Sequence, residues 1–198
     1  ASRTQAERIS RVTRSILTFS RGTVSTLKPL DMNCIVRTCV GMAGERIAAL
    51  SVRIETDLGS DLSPVMGDRD RLETVVLNLI NNAIDAVNGF TEPGIIAVRT
   101  RRRQIDSEDW LQVSVSDNGP GIPDTIRDRI FDPFFTTKPA GQGTGLGLFL
   151  SYGIVSDHRG RIEVRSDKTG TTVHVYLPAV GWGAGVQEEA TWGLQEKS

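Results

Sequence analysis

The chain has 198 residues, against roughly 150 for an ordinary domain, so one compact domain with an appendage is expected. Hydrophobic residues make up 38% and glycine contributes 20 residues; with only two cysteines, this excludes a disordered chain, a collagen and a disulfide scaffold. Lys and Arg number 23 against 24 Asp and Glu, and a net charge of −1 excludes global attraction to nucleic acid or to an anionic membrane.

Residues 1–21 read as a helix, because Ile9, Val12, Ile16 and Phe19 recur at the spacing of a bundle seam. Gly22 and Pro29 bracket a linker over Thr23–Leu30. A second helix is expected from Asp31, its cap, to Leu50. Cys34 and Cys39 fall within it as small apolar side chains to be buried; they form no CxxC and have no ligand histidine nearby. Ser51–Asp57 alternates as a strand, with Val52 and Ile54 on one face. A turn containing Pro64 and Gly67 precedes a third helix, Arg69–Asn88, capped by Asp68. Strands follow at Ile95–Arg103 and Leu111–Asp117. The arginine cluster of Arg99, Arg101, Arg102 and Arg103 suits a solvated strand better than a nucleic-acid patch.

Residues 118–144 are rich in Gly, Pro and Thr and read as loop, broken by a short helix near Asp124–Phe131. A helix over Gly145–His158 and a hairpin of Arg161–Ser166 with Thr171–Leu177 complete the pattern. Residues 179–198 form a tail without periodicity, in which Trp182 and Trp192 could dock on the domain or on a partner. No run of about 18 apolar residues occurs, so no segment reads as a spanning helix. Paired strands separated by helices predict an α+β fold, a two-layer α/β sandwich preceded by an N-terminal helix. The sequence starts at Ala1, inside a helical pattern, so we expect a fragment of a longer protein.

Four segments carry candidate chemistry. On the third helix, Asn78, Asn82 and Asp85 share one face, opposite Val76, Leu79, Ile80, Ala83 and Val87. Amide oxygens so placed can complete the shell of Mg2+, although polar residues on the outer side of an amphipathic helix are also ordinary. Asp117-Asn118-Gly119-Pro120-Gly121-Ile122 ends a strand. Its carboxylate can accept from an exocyclic amine, although the same string makes a good turn. Phe131-Asp132-Pro133-Phe134-Phe135-Thr136-Thr137-Lys138 puts three phenylalanines into a loop and ends on a lysine able to meet phosphate. Gly143-Thr144-Gly145-Leu146-Gly147-Leu148 leads straight into a helix, whose free N–H groups suit phosphate.

Taken together, the order and spacing of these segments resemble the N box, first glycine box, F box and second glycine box of the sensor histidine kinase ATP-binding domain. That family shares the Bergerat fold with the gyrase, Hsp90 and MutL ATPases. The resemblance spans about residues 30–178, and FDPFFTTK with its short lid is similar to the nitrogen-regulation type. It implies that ATP and Mg2+ bind, with Asn82 as metal ligand, Asn78 one turn earlier and Asp117 on the adenine amino group. Gly119 and Gly121 would give the base room, with Ile122 and Phe135 beside the nucleotide. Lys138 would reach phosphate from a lid over residues 132–144. Gly143, Thr144, Gly145, Leu146, Gly147 and Leu148 would form the lid hinge and the phosphate-facing helix start; Thr172 would line the adenine pocket, and Asp85 would join the cofactor-binding set.

The resemblance also implies a division into 1–29 (end of a dimerisation and phosphoacceptor hairpin), 30–178 (catalytic domain) and 179–198 (tail). It implies as partners the parent's phosphoacceptor hairpin, a response regulator and a second copy of the parent, with the domain on the cytoplasmic side and nucleic acid excluded. The sequence departs from the family at Thr74, where Gln or Glu is common, and at Arg159-Gly160, where Gly-Gly is common. The two histidines, His158 and His174, sit at a helix end and within a strand; both read as structural, so the fragment should not phosphorylate itself. A stand-alone ATPase or an anti-sigma-type serine kinase would share the fold, but both usually carry an acid where Asn78 stands.

Overall fold

A computed structural model describes residues 27–50, 52–89, 93–139 and 143–180. The expected N-terminal helix and the Trp-containing part of the tail lie outside the described residues. In chain order the elements are β1 (Lys28–Leu30), α1 (Met32–Ala49), β2 (Arg53–Leu58), β3 (Val65–Gly67), α2 (Arg69–Val87) and β4 (Ile95–Ile105). They continue with β5 (Glu108–Asp117), α3 (Asp124–Arg127), α4 (Gly147–Asp157), β6 (Arg161–Asp167) and β7 (Gly170–Pro178).

Five strands form one sheet in the order β2-β4-β5-β7-β6, parallel only between β2 and β4. α2 packs against both α1 and α4. Leu111, Val113 and Val115 of β5 and Val175 and Leu177 of β7 join Ile35, Val36, Leu72, Val76, Leu79, Ile80 and Ile154 from the helices in one buried core. This is the expected two-layer α+β sandwich, with helices on one face of a mixed sheet.

Both cap assignments hold. Asp31 accepts from the Asn33 N–H at 2.8 Å, and Asp68 from the Arg71 N–H at 3.1 Å. The β4–β5 strands run longer than expected, because Asp106 and Ser107 take φ of 52° and 68° and close a two-residue hairpin. The expected linker and turn differ as well: Lys28–Leu30 pairs antiparallel with Val65–Gly67 as a second, two-stranded sheet, and Ala179 bridges Val65.

Cys39 is buried, and burial pushes its thiol up to about 12. Cys34 is exposed, contrary to expectation; its Sγ lies 3.8 Å from Arg69 Nη2 at the start of α2, outside the core. Three of the four clustered arginines are engaged within the domain: Arg101 pairs with Asp57, Arg102 with Asp109, and Arg103 donates to Gln112 Oε1 at 2.9 Å.

Both histidines are structural. His158 Nδ1 donates to the Ile154 carbonyl at 2.7 Å, while Nε2 accepts the Asp68 N–H at 3.0 Å, tying the end of α4 to the start of α2. His158→Leu leaves that N–H without its partner. The expected cost is about 1–3 kcal/mol of stability in urea unfolding; an unchanged midpoint would contradict the tie. His174 lies on the helix-free face, where Gln112 Nε2 donates to its Nδ1 at 3.0 Å. Burial, with Arg165 and Arg103 nearby, holds its imidazole below the usual range and so neutral.

Candidate functional site

The site is assembled along one face of α2. Midway along the helix, Asn78 Nδ2 lies 3.3 Å from the Gly147 carbonyl and 3.4 Å from Ser151 Oγ, which locks α2 to the first turn of α4. One turn on, Asn82 Oδ1 is 3.5 Å from Lys138 Nζ, and Asp85 Oδ2 forms an ion pair with the same ammonium. At the C-terminal end the Ala86 carbonyl would lie 2.9 Å from a Cβ built at Gly119, so only glycine allows the strand-end loop to approach so closely. Eight residues separate Asn78 from Ala86, about 12 Å along the axis. The helix therefore spaces two ends of a binding face at the scale of a nucleotide.

Asp117 stands at the end of β5. Its Oδ1 accepts from the Gly119 N–H at 2.9 Å and the Thr171 N–H at 3.3 Å. Burial raises its carboxyl above the ordinary 3.8, and the two N–H donors oppose that rise. Among the described residues no donor meets Oδ2, the arrangement a base amine would meet.

The glycine loop is fixed by protein, not only shaped for a ligand. Gly121, at φ 74°, would put a Cβ 1.8 Å from the Asp167 carbonyl oxygen, and Gly170 would put one 1.9 Å from the Asp117 carbonyl oxygen. Ser166 Oγ accepts the Ile122 N–H at 2.8 Å, contacts Thr171 Oγ1 at 2.9 Å and donates to the Gly170 carbonyl at 3.1 Å. It clamps the loop onto the β6–β7 hairpin.

At the other end, the Phe134 N–H donates to the Gly145 carbonyl at 2.9 Å, and Phe134 and Gly145 have φ of 67° and 65°. A Cβ at Gly145 would lie 2.2 Å from the Phe134 carbonyl carbon. Gly143 abuts Thr136 Oγ1, Thr144 Oγ1 lies 3.4 Å from the Leu146 N–H, and Leu146 is buried. Leu148 packs against the core, and Phe135 lies under the Arg129 guanidinium at 4.7 Å. No side chain caps α4, which leaves its first turn open toward Asn78 and suited to an anion.

Of the expected residues, Asn78, Asn82, Asp85, Lys138 and Gly147 come together, and Asp117, Gly119, Gly121 and Ile122 form a second group beyond Ala86. Thr172 joins neither. It pairs with Ser116 at 2.9 Å on the helix-free face, and its neighbour Thr171 stands opposite Asp117 instead. Sequence reasoning missed Thr171 and Ser166, because only the strand register says which of two adjacent threonines faces the helices. It also missed Arg46 of α1, whose guanidinium reaches Asn81 Oδ1 at 2.7 Å and pairs with Asp85.

This geometry is matched by similarity to known proteins. The family "Histidine kinase-, DNA gyrase B-, and HSP90-like ATPase" matches residues 67–181. The two-component sensor PprA of Pseudomonas aeruginosa is 34% identical over 88% of this chain and 19% of its own length. The sensory histidine kinase/phosphatase NtrB of Rhodobacter capsulatus is 34% identical over 88% of this chain and 50% of its own length. The chain thus spans half or less of these relatives. Among solved structures, the nucleotide-free catalytic domain of histidine kinase ThkA is 30% identical, with a TM-score of 0.67 over 77% of this chain and 95% of that one. ThkA in complex with the response regulator protein TrrA gives a TM-score of 0.71 at 26% identity, over 89% of this chain and 48% of that one. By sequence and by fold, the chain belongs to the histidine kinase-, DNA gyrase B- and HSP90-like ATPase family, among the ATP-binding catalytic domains of sensor histidine kinases.

Proposed function

We propose that this domain binds Mg2+-ATP along α2 and delivers the γ-phosphoryl group to a histidine on a hairpin of its parent kinase. The observation that carries the reading is the half-buried Asp117 carboxylate at a strand end, in line with the Asn78–Asn82–Asp85 face. Asp117 Oδ2 accepts the adenine amino group; guanine would present a carbonyl there and be repelled. Asn82 Oδ1 and Asp85 Oδ2 already converge on one cation, the Lys138 ammonium, and such hard oxygen donors also fit Mg2+. No group of three or more His, Cys, Asp or Glu side chains forms a metal cluster among the described residues. A metal at Asn82 would therefore rely on phosphate oxygens for most of its shell. When bound, Mg2+ supplies neutralisation of phosphate charge. Lys138 and the first turn of α4 hold the phosphates, and the protein's contribution is positioning.

Asn78 cannot act as a base, and its amide is already directed at Gly147 and Ser151, so water is not activated and hydrolysis is slow. The division at residues 29 and 178, a hairpin as phosphoryl acceptor, a response regulator as the next acceptor and a dimeric parent form part of the same proposal. So does a cytoplasmic position. No helix among the described residues is long and apolar enough to cross a membrane.

Incubation with γ-labelled ATP, alone and with a purified hairpin from the intact parent, tests the reading. Label is expected only on the added hairpin. His158 caps the far end of α4, about 16 Å from its start, and His174 lies on the other face of the sheet. Acid-labile label on the domain alone, lost in a His158 or His174 variant, would overturn the proposal.

A further inference from the structure

The phosphate end of the site contains one residue that no glycine or asparagine motif includes. Arg46 lies in the last turn of α1. Its two terminal nitrogens fork onto neighbouring groups of α2: Nη1 donates to Asn81 Oδ1 at 2.7 Å, and Nη2 pairs with Asp85 Oδ1. The other Asp85 oxygen pairs with Lys138, which also approaches Asn82 Oδ1 at 3.5 Å. One carboxylate is therefore shared by two cations, one on a fixed helix and one on the loop beside the second glycine segment.

We propose that Arg46 is a positioning residue for the phosphates of ATP, acting through Asp85 upon Lys138; this deepens the proposed function and rests on it. Asp85 alone would cancel the lysine charge and compete with phosphate for the ammonium. With Arg46 engaged on Oδ1, the three side chains keep a net charge of +1, and the carboxylate is turned so that Oδ2 holds Lys138 over the Asn82 oxygen. Two effects follow from one contact: the lysine is placed, and its charge remains available to a polyphosphate. The planar fork matters, because Asn81 fixes the direction from which the guanidinium meets Asp85. Lysine in its place would keep the charge and lose that direction.

The test is calorimetric binding of ATP and of adenosine to five proteins: wild type, Arg46→Met, Arg46→Lys, Lys138→Met and the Arg46→Met/Lys138→Met double variant. The Arg46 side chain is 42% exposed, so its replacement leaves the core intact. Arg46→Met is expected to weaken ATP about three- to fivefold and to leave adenosine unchanged. In the Lys138→Met background it is expected to have no further effect, because the residue it acts on is gone. Arg46→Lys should recover part of the loss.

The failures separate. If Lys138→Met binds ATP like wild type, the phosphate role of Lys138 in the proposed function is wrong. If Lys138→Met weakens ATP while Arg46→Met does not, Arg46 has no positioning role. If Arg46→Met weakens ATP equally with and without Lys138, it acts as a distant charge and the proposal is overturned. An equal loss for adenosine would make its role structural and overturn it too.

Discussion

Asp117→Asn is expected to weaken ATP binding about ten- to a hundredfold, corresponding to roughly 1.5–3 kcal/mol for a hydrogen bond to a charged group, while raising the melting temperature of the nucleotide-free domain. The two changes have one cause. Burial raises the carboxyl above 3.8, so the folded, empty site is strained by holding a charge there. Asparagine keeps an oxygen for the Gly119 and Thr171 N–H groups and removes the charge. It also brings an NH2 that meets the adenine amine donor to donor.

The pH dependence has a definite sign. A carboxyl with a raised folded value binds more protons native than unfolded, so its stabilising contribution is full below 3.8 and is lost as pH rises through the folded value. ATP affinity runs the opposite way and falls as pH drops through that same value, because the protonated acid cannot accept from the amine. Thermal scans and calorimetry on both proteins check this. A destabilised Asp117→Asn protein with unchanged affinity would contradict both halves.

Gly145→Ala should be more disruptive than Gly147→Ala, though the two are neighbours in one motif. At Gly145, φ is 65° and a Cβ would collide with the backbone of Phe134, so the expected cost is about 2–4 kcal/mol in the segment joining the phenylalanine loop to α4. The Phe134 N–H, bonded to the Gly145 carbonyl, should lose hydrogen-exchange protection, and ATP affinity should drop more than tenfold. At Gly147 the nearest atom to an added Cβ is Asn78 Cγ at 3.7 Å, ordinary contact. Gly147→Ala should therefore leave protection unchanged and still weaken ATP, because the methyl group stands where phosphates approach the helix. Wild-type affinity in Gly147→Ala would place the phosphates elsewhere.

Most of the frame was readable from local signals. Asp31 and Asp68 each precede an apolar-periodic run and each caps a helix, since a side-chain cap depends on neighbours two or three residues away. β1 and β3 were not readable. Three residues show no alternation, and Pro29 and Pro64 there read as linker and turn. The site divides in the same way. The face of α2 follows from helical period alone, so Asn78, Asn82 and Asp85 were found together. Thr171 required knowing that it pairs with Asp117 across β5 and β7. Arg46 precedes Asp85 by 39 positions and carries no motif, and only the packing of α1 on α2 brings them together. The demands on Gly121 and Gly170 were legible as turns, but not as contacts with Asp167 and Asp117.

The small sheet has a mechanical consequence. Leu30 pairs with Val65 on one side, and Ala179 bridges the same Val65. The described chain therefore enters and leaves the domain at a single point, about two interstrand spacings or roughly 10 Å across. The two ends differ mechanically: β1 is held by a three-residue strand pair, whereas Ala179 continues directly from β7, so a pull at that end bears on the sheet that carries Asp117. Asp117 accepts from the Thr171 N–H of β7 and from the Gly119 N–H beside Ala86 of α2, so the strand on which the described chain leaves is also the one that helps to orient that carboxylate.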